Sequence, residues 1–113
     1  MVQNRNKLIS LFIGNISNAI LHDILEKAIN NEEISGRYHK ESSTSFGMAK
    51  KYREKINPIS SAFPYKDISF VKTGIINKVR AELLQRISKG YKGIDIDSIE
   101  KSADKALKDV NVI

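Results

Sequence analysis

Two histidines, His22 and His39, and a few nearby carboxylates are the side chains of this sequence best suited to move a proton or hold a metal ion. His22 belongs to a set, Asn15, Asn18, His22 and Glu26, whose steps of three and four put two amides, an imidazole and a carboxylate on one strip of a helix. With a further ligand from His39, Glu32 or Glu33, the pair His22 and Glu26 would begin a metal site for assisted hydrolysis. The competing reading is a solvated polar face in which Glu26 and His22 pair one turn apart, worth roughly 0.2–0.5 kcal/mol.

Other routes to catalysis lack their residues. The chain has no Cys, which removes a thiolate nucleophile, a Cys-bearing zinc site and a disulfide framework. There is no G-x-S-x-G nucleophile elbow and no glycine fingerprint for a nucleotide phosphate. Lys89-Gly90-Tyr91-Lys92-Gly93 has two glycines, but they follow a helical pattern and read as its C-cap and turn. Neither His follows an Arg at the one-to-two-turn spacing of small helical ribonucleases. The expectation is a non-catalytic binding module with no cofactor.

Charge is the more informative chemistry. The 113 residues carry a net +6, and the excess is local. Residues 37–92 hold thirteen Lys and Arg against four acidic groups, a net +9, while both flanks are mildly acidic. Seven of the eight aromatics lie in the same stretch, all but Phe12. Lys and Arg neutralise phosphates, and Tyr stacks on unpaired bases, so this mixture points to a polyanion such as RNA or DNA. Three runs are the densest: Arg37-Tyr38-His39-Lys40, Lys50-Lys51-Tyr52-Arg53-Glu54-Lys55 and Lys89-Gly90-Tyr91-Lys92. The expected contacts are Arg37, Lys40, Lys50, Lys51, Tyr52, Arg53, Lys55, Arg86, Lys89, Tyr91 and Lys92. Set against this, lysines are the ordinary covering of a helical bundle. One contiguous basic face would favour the polyanion; scatter would favour simple solvation. A second anion candidate is the segment Gly36 to Ser45, whose hydroxyls would precede a helix N-terminus with free amides, although N-caps explain those serines as well.

The elements that must position these groups follow from apolar periodicity. Ile9, Ile13, Ile16, Ile20 and Ile24 predict a long helix over 2–30, and Leu8, Phe12, Ala19, Leu21, Leu25 and Ala28 make it apolar nearly all round. Such a helix is either the centre of the bundle or the interface of a homodimer or of a docked partner protein. Asn30-Asn31 ends it, and 32–45 reads as a connection. A second helix is predicted over 45–56, stopped by Pro58, with a loop over 57–66. A third runs over 67–89, from Ile68 through Val71, Ile75, Val79, Leu83 and Ile87 to a stop at Gly90. A fourth covers 97–110, opened by a capping box of Asp97 and Glu100. The sum is a single all-α domain, a bundle of three or four helices. The run after Arg5 and Lys7 lacks a signal-peptide cleavage site and falls far short of the roughly 20 apolar residues that span a bilayer. The expected location is cytoplasmic, with no membrane partner.

Overall fold

Four helices account for most of the chain: α1 (Arg5–Ala28), α2 (Glu32–Ile56), α3 (Tyr65–Ser88) and α4 (Ile99–Asp109). The computed structural model describes residues 5–29, 31–57 and 63–113, and there is no strand among them. Pro58, Ile59 and Ser60-Ser61 of the expected loop lie outside the described residues, as do 2–4 and Asn30 of the expected first helix.

The apolar circumference of α1 is used within the monomer. Ten of its residues are buried, among them Phe12, Ile16 and Leu25, and they point in several directions because α2, α3 and α4 all pack against this one helix. Burying a Leu, Ile or Phe side chain is worth about 1.5–3 kcal/mol, so a helix surrounded by others is apolar all round. No large apolar residue of α1 within the described residues is exposed, which leaves no broad face there for a second copy. By length and composition alone α1 would suffice to cross a membrane, but here its apolar side chains are packed against the bundle. The large apolar side chains left exposed include Phe70 and Leu84 on α3.

The largest departure from expectation is α2. Residues 32–45, read as a connection, are helix. Asn31 does not simply end the first helix; its Oδ1 accepts from the backbone of Glu33 (3.0 Å) and Ile34 (3.2 Å) and so starts the second. Glu32 and Glu33 in the first turn suit the positive end of the helix dipole. The segment lacks a stripe of large apolar residues because part of its contact with α1 is made by small ones, with Tyr38 and Phe46 beside them. Ser35, Ser42 and Ala49 recur every seven positions. Ser42 Oγ donates to the carbonyl of Ala19 (2.7 Å) and Ser35 Oγ to that of Glu26 (3.3 Å), carbonyls themselves seven residues apart. A seven-residue repeat keeps one seam facing the neighbour along an antiparallel hairpin. Ser42 to Ser45 therefore cap nothing. They stand in mid-helix where the amides are already bonded, which removes the second anion candidate.

α3 runs parallel to α1 on its other side. Arg5 pairs with Asp67 (2.7 Å) near their starts, and a Cβ at Gly74 would touch Ile13 at 3.4 Å. α4 packs on α3 and α1, with Lys72 bridging to Asp104 (2.9 Å) and Glu100 (3.7 Å). Its entry differs from the expected capping box. Asp95, not Asp97, is the cap, and its Oδ1 accepts from the Asp97 backbone (3.1 Å) to open a short 3-10 turn over Ile96–Ser98. The end of α3 is as expected, since Gly90 takes φ +101° and lets the Tyr91 backbone N–H return to the Arg86 carbonyl (3.1 Å).

Candidate functional site

The polar strip of α1 does not face open solvent on all sides. It floors a groove between α2 and α3, which flank α1. Near its middle is a cavity of about 190 Å³ lined by Ser17, Asn18 and His22 of α1 and by Lys78, Glu82 and Arg86 of α3, over Leu21 and Val79. Each helix contributes residues one turn apart, so the lining follows from the parallel register of α1 and α3. α2 closes one side. The Tyr38 ring stacks on the His22 ring, centroids 5.6 Å apart, and Glu41 lies 3.4 Å from His22 Nε2.

Two residues of this lining each bury a polar atom, Ser17 Oγ and His22 Nδ1, that has no hydrogen-bond partner among the described residues. Ser17 is only 2% exposed. Elsewhere in proteins such groups are nearly always satisfied, because stranding one costs about 1–3 kcal/mol. Burial pushes the His22 pKa below its usual value; Glu41 opposes this and Arg86 reinforces it. Burial, reinforced by the neighbouring Tyr91, pushes the Tyr38 phenol up, while Arg86 pulls it down. Arg86 Nη1 pairs with Glu82 (3.1 Å). Lys78 makes no ion pair among the described residues, and its Nζ lies 3.6 Å from the place a Cβ on Gly14 would occupy. The turn at Gly90 is what brings Tyr91 back to this group of side chains.

His22 and Glu26 do not form the expected pair. Each is drawn across to α2, His22 to Glu41 and Glu26 to His39 (3.3 Å). No three His, Asp or Glu side chains converge as metal ligands among the described residues. A larger cavity of about 280 Å³ lies between α1, α2 and α4, where Phe46 and Ser43 face Ser102 and Lys105. Among the described residues, no stranded polar atom lines it.

The expected basic contacts separate. Arg53, central to the densest run, is fully buried. Its Nε donates to the Val110 carbonyl (3.0 Å), Nη2 to the Asn111 carbonyl (2.8 Å) and Nη1 to the Asn57 carbonyl (3.1 Å) and side chain, while its guanidinium lies over the Phe63 ring at 4.6 Å. It ties the C-terminal tail to α2, so its guanidinium is engaged within the fold and not on the surface. Lys50 sits over Phe46, toward the α4 side, and Lys55 over Tyr52, which is half-buried against the core. Lys40 and Lys51 are exposed on the face of α2 opposite Ser42 and Ala49. Arg37 pairs with Glu33 one turn earlier (3.1 Å). The run over 50–55 is thus contiguous in sequence and dispersed in space. Arg86, Lys89 and Tyr91 stay together: Lys78, Glu82, Arg86 and Lys89 recur at helical spacing along one side of α3, with exposed Tyr91 and Lys92 just beyond. Lys78, Ser17 and Tyr38 were absent from the expected contacts. Tyr38 carried a signal as part of the run with Arg37, and Lys78 as one of the basic residues of the +9 segment; Ser17 carried none.

Compared with protein-family models, curated proteins and solved structures, the chain matches none.

Proposed function

We propose that the protein is a non-catalytic helical module that binds a polyanion, single-stranded RNA or DNA, along the groove between α2 and α3. The observation that carries this reading is the stripe of Lys78, Arg86 and Lys89 beside a cavity whose buried Ser17 hydroxyl and His22 Nδ1 lack protein partners among the described residues. Cations at helical spacing track a phosphate backbone, and the exposed Tyr91 offers a base a stacking surface. The lysines of α2 scatter over other faces and serve solvation.

Titration with labelled single- and double-stranded RNA and DNA at low salt tests the proposal. Tight binding of single strands that weakens steeply with salt is expected, because each neutralised phosphate releases counterions. Lys78→Glu with Lys89→Glu should reduce affinity by about tenfold or more and flatten the salt slope, by about 0.7 for each phosphate no longer neutralised. Lys51→Glu, on the outer face of α2, should change it little. No binding at low salt, or equal effects of the three reversals, would sink the groove reading.

A further inference from the structure

We infer that the outer face of α3 joins two copies of this chain as an antiparallel dimer, with the two-fold axis passing between Asn77 and Arg80. The inference is independent of the groove reading, because it uses the side of α3 turned away from Lys78, Arg86 and Lys89.

Phe70, Thr73, Asn77, Arg80, Leu84 and Ile87 follow one another at alternating steps of three and four. All six are exposed, while Val71, Ile75, Val79 and Leu83 of the same helix are buried on its other side. Alternating steps of three and four keep one line of side chains turned toward a neighbouring helix. Phe70 is 64% exposed and Leu84 51%, and α3 carries four of the eight large apolar side chains left exposed among the described residues. The outer face of a bundle helix is ordinarily polar, and apolar side chains gathered there mark contact with another molecule. Asn77 and Arg80, in the middle of the seam, make no side-chain hydrogen bond or ion pair among the described residues.

The order of these six residues selects the occupant. A two-fold dimer uses one patch twice, so its patch must match itself in reverse. Two α3 helices laid antiparallel set Phe70 against the partner's Ile87, Thr73 against the partner's Leu84 and Asn77 against the partner's Arg80. Apolar groups and the Thr73 methyl then meet toward both ends, and in the middle the Asn77 side-chain oxygen is placed to accept from a guanidinium. A parallel pair would instead set Arg80 directly against its own copy, a like-charge contact. From Phe70 to Ile87 the seam runs about 26 Å along a single helix, which keeps the contact below the roughly 1,200 Å² of the smallest lasting interfaces. A weak dimer, with a dissociation constant of about 10–100 µM, is expected. Each copy carries +6, so the two repel at low salt and salt relieves the repulsion.

Sedimentation velocity of the full chain from about 5 to 500 µM, without nucleic acid, tests the inference. A monomer–dimer equilibrium that tightens as salt is raised is expected, the opposite of the salt response of nucleic-acid binding. Leu84→Glu, at an exposed position that the fold does not need, should weaken the dimer by about tenfold or more, whereas Lys51→Glu on α2 should leave it unchanged. The chain has no Cys, so single cysteines read the orientation. Thr73→Cys and Leu84→Cys chains, mixed and oxidised at a concentration where the wild type is dimeric, should cross-link to each other and barely to themselves. Each variant cross-linking to itself instead would overturn the antiparallel arrangement. A monomer at every concentration, or Leu84→Glu pairing as well as the wild type, would overturn the interface and leave the groove reading standing. A monomer that binds vesicles of phosphatidylserine and phosphatidylcholine through the same face, with binding lost in Leu84→Glu, would give that face to a lipid surface and overturn the dimer.

Discussion

Arg53 and His22 are both polar side chains drawn in against α1, toward opposite ends of α2, and the bundle treats them differently. Arg53 is wholly enclosed and its donors meet the carbonyls of Asn57, Val110 and Asn111. His22 is partly enclosed, has one nitrogen paired with Glu41, and has the other without a partner among the described residues, beside an equally unpartnered Ser17. A buried charge whose hydrogen bonds are all made inside the protein fixes structure. A polar group buried in a cavity without a partner costs stability, and on the function proposed above it is the kind of group a bound ligand would satisfy. The contrast separates the two meanings that a basic or polar residue has in a bundle, and sequence runs such as 50–55 do not reveal it.

The sharpest way to break the comparison is at Arg53. Arg53→Ala would strand the buried Val110 carbonyl, free those of Asn57 and Asn111 to water, and remove the side chain packed on Phe63, so a loss of about 3 kcal/mol is expected in denaturant unfolding. The tail after α4 should then exchange its amide protons faster than the rest of the bundle. A loss below about 1 kcal/mol would show that Arg53 is not a structural tie. Where Arg53→Ala still folds, its effect on nucleic-acid affinity should be small.

A pair of alanine substitutions tests the cavity side with a change of sign. Ser42→Ala removes a satisfied hydroxyl that donates to the Ala19 carbonyl at 2.7 Å and should destabilise by about 1 kcal/mol. Ser17→Ala removes a stranded hydroxyl and should leave stability unchanged or raise it by about 0.5–1 kcal/mol. If both lower stability equally, Ser17 is satisfied in solution and the cavity is left with one unused group instead of two.

The smallest effect is the pH dependence. His22 has a folded pKa below the usual 6.5, chiefly through burial, so between the two values the unfolded chain binds more protons than the folded one. Its neutral form contributes stability that is fully present above about pH 6.5 and is lost as pH falls through the lowered folded value. Unfolding curves between pH 8 and 5 should fall more for the wild type than for His22→Phe; parallel curves would show that the ring is not shielded.

Three of the four helices were legible because a large apolar residue every three or four positions is enough to define them. Ile9 to Ile24, Val71 to Leu83, and Ile99 to Leu107 are such series, and their inward-facing members are buried. The first half of α2 was not legible for the same reason reversed. Its seam is Ser35, Ser42 and Ala49, and small or polar residues resemble a loop although closeness of approach to α1 is what they provide. Asn31 read correctly as a boundary but incompletely, since one asparagine serves as the start of the next helix. The capping box at Asp97 was displaced by two residues because a 3-10 turn intervenes and shifts the capping role to Asp95.

The sequence by itself determined the all-α class, the central place open to a helix apolar on every side, the stop at Gly90 and the concentration of positive charge in the middle of the chain. These follow from local periodicity, backbone preference and composition. Only the tertiary structure decided which charges act together. A run of neighbours on a helix turns by 100° per residue, so Lys50, Lys51, Arg53 and Lys55 part company, while Lys78, Arg86, His22 and Ser17, scattered in sequence, meet across two parallel helices. Burial and partnership depend on what packs opposite, and so an arginine that added to the net charge became a fastening of the fold.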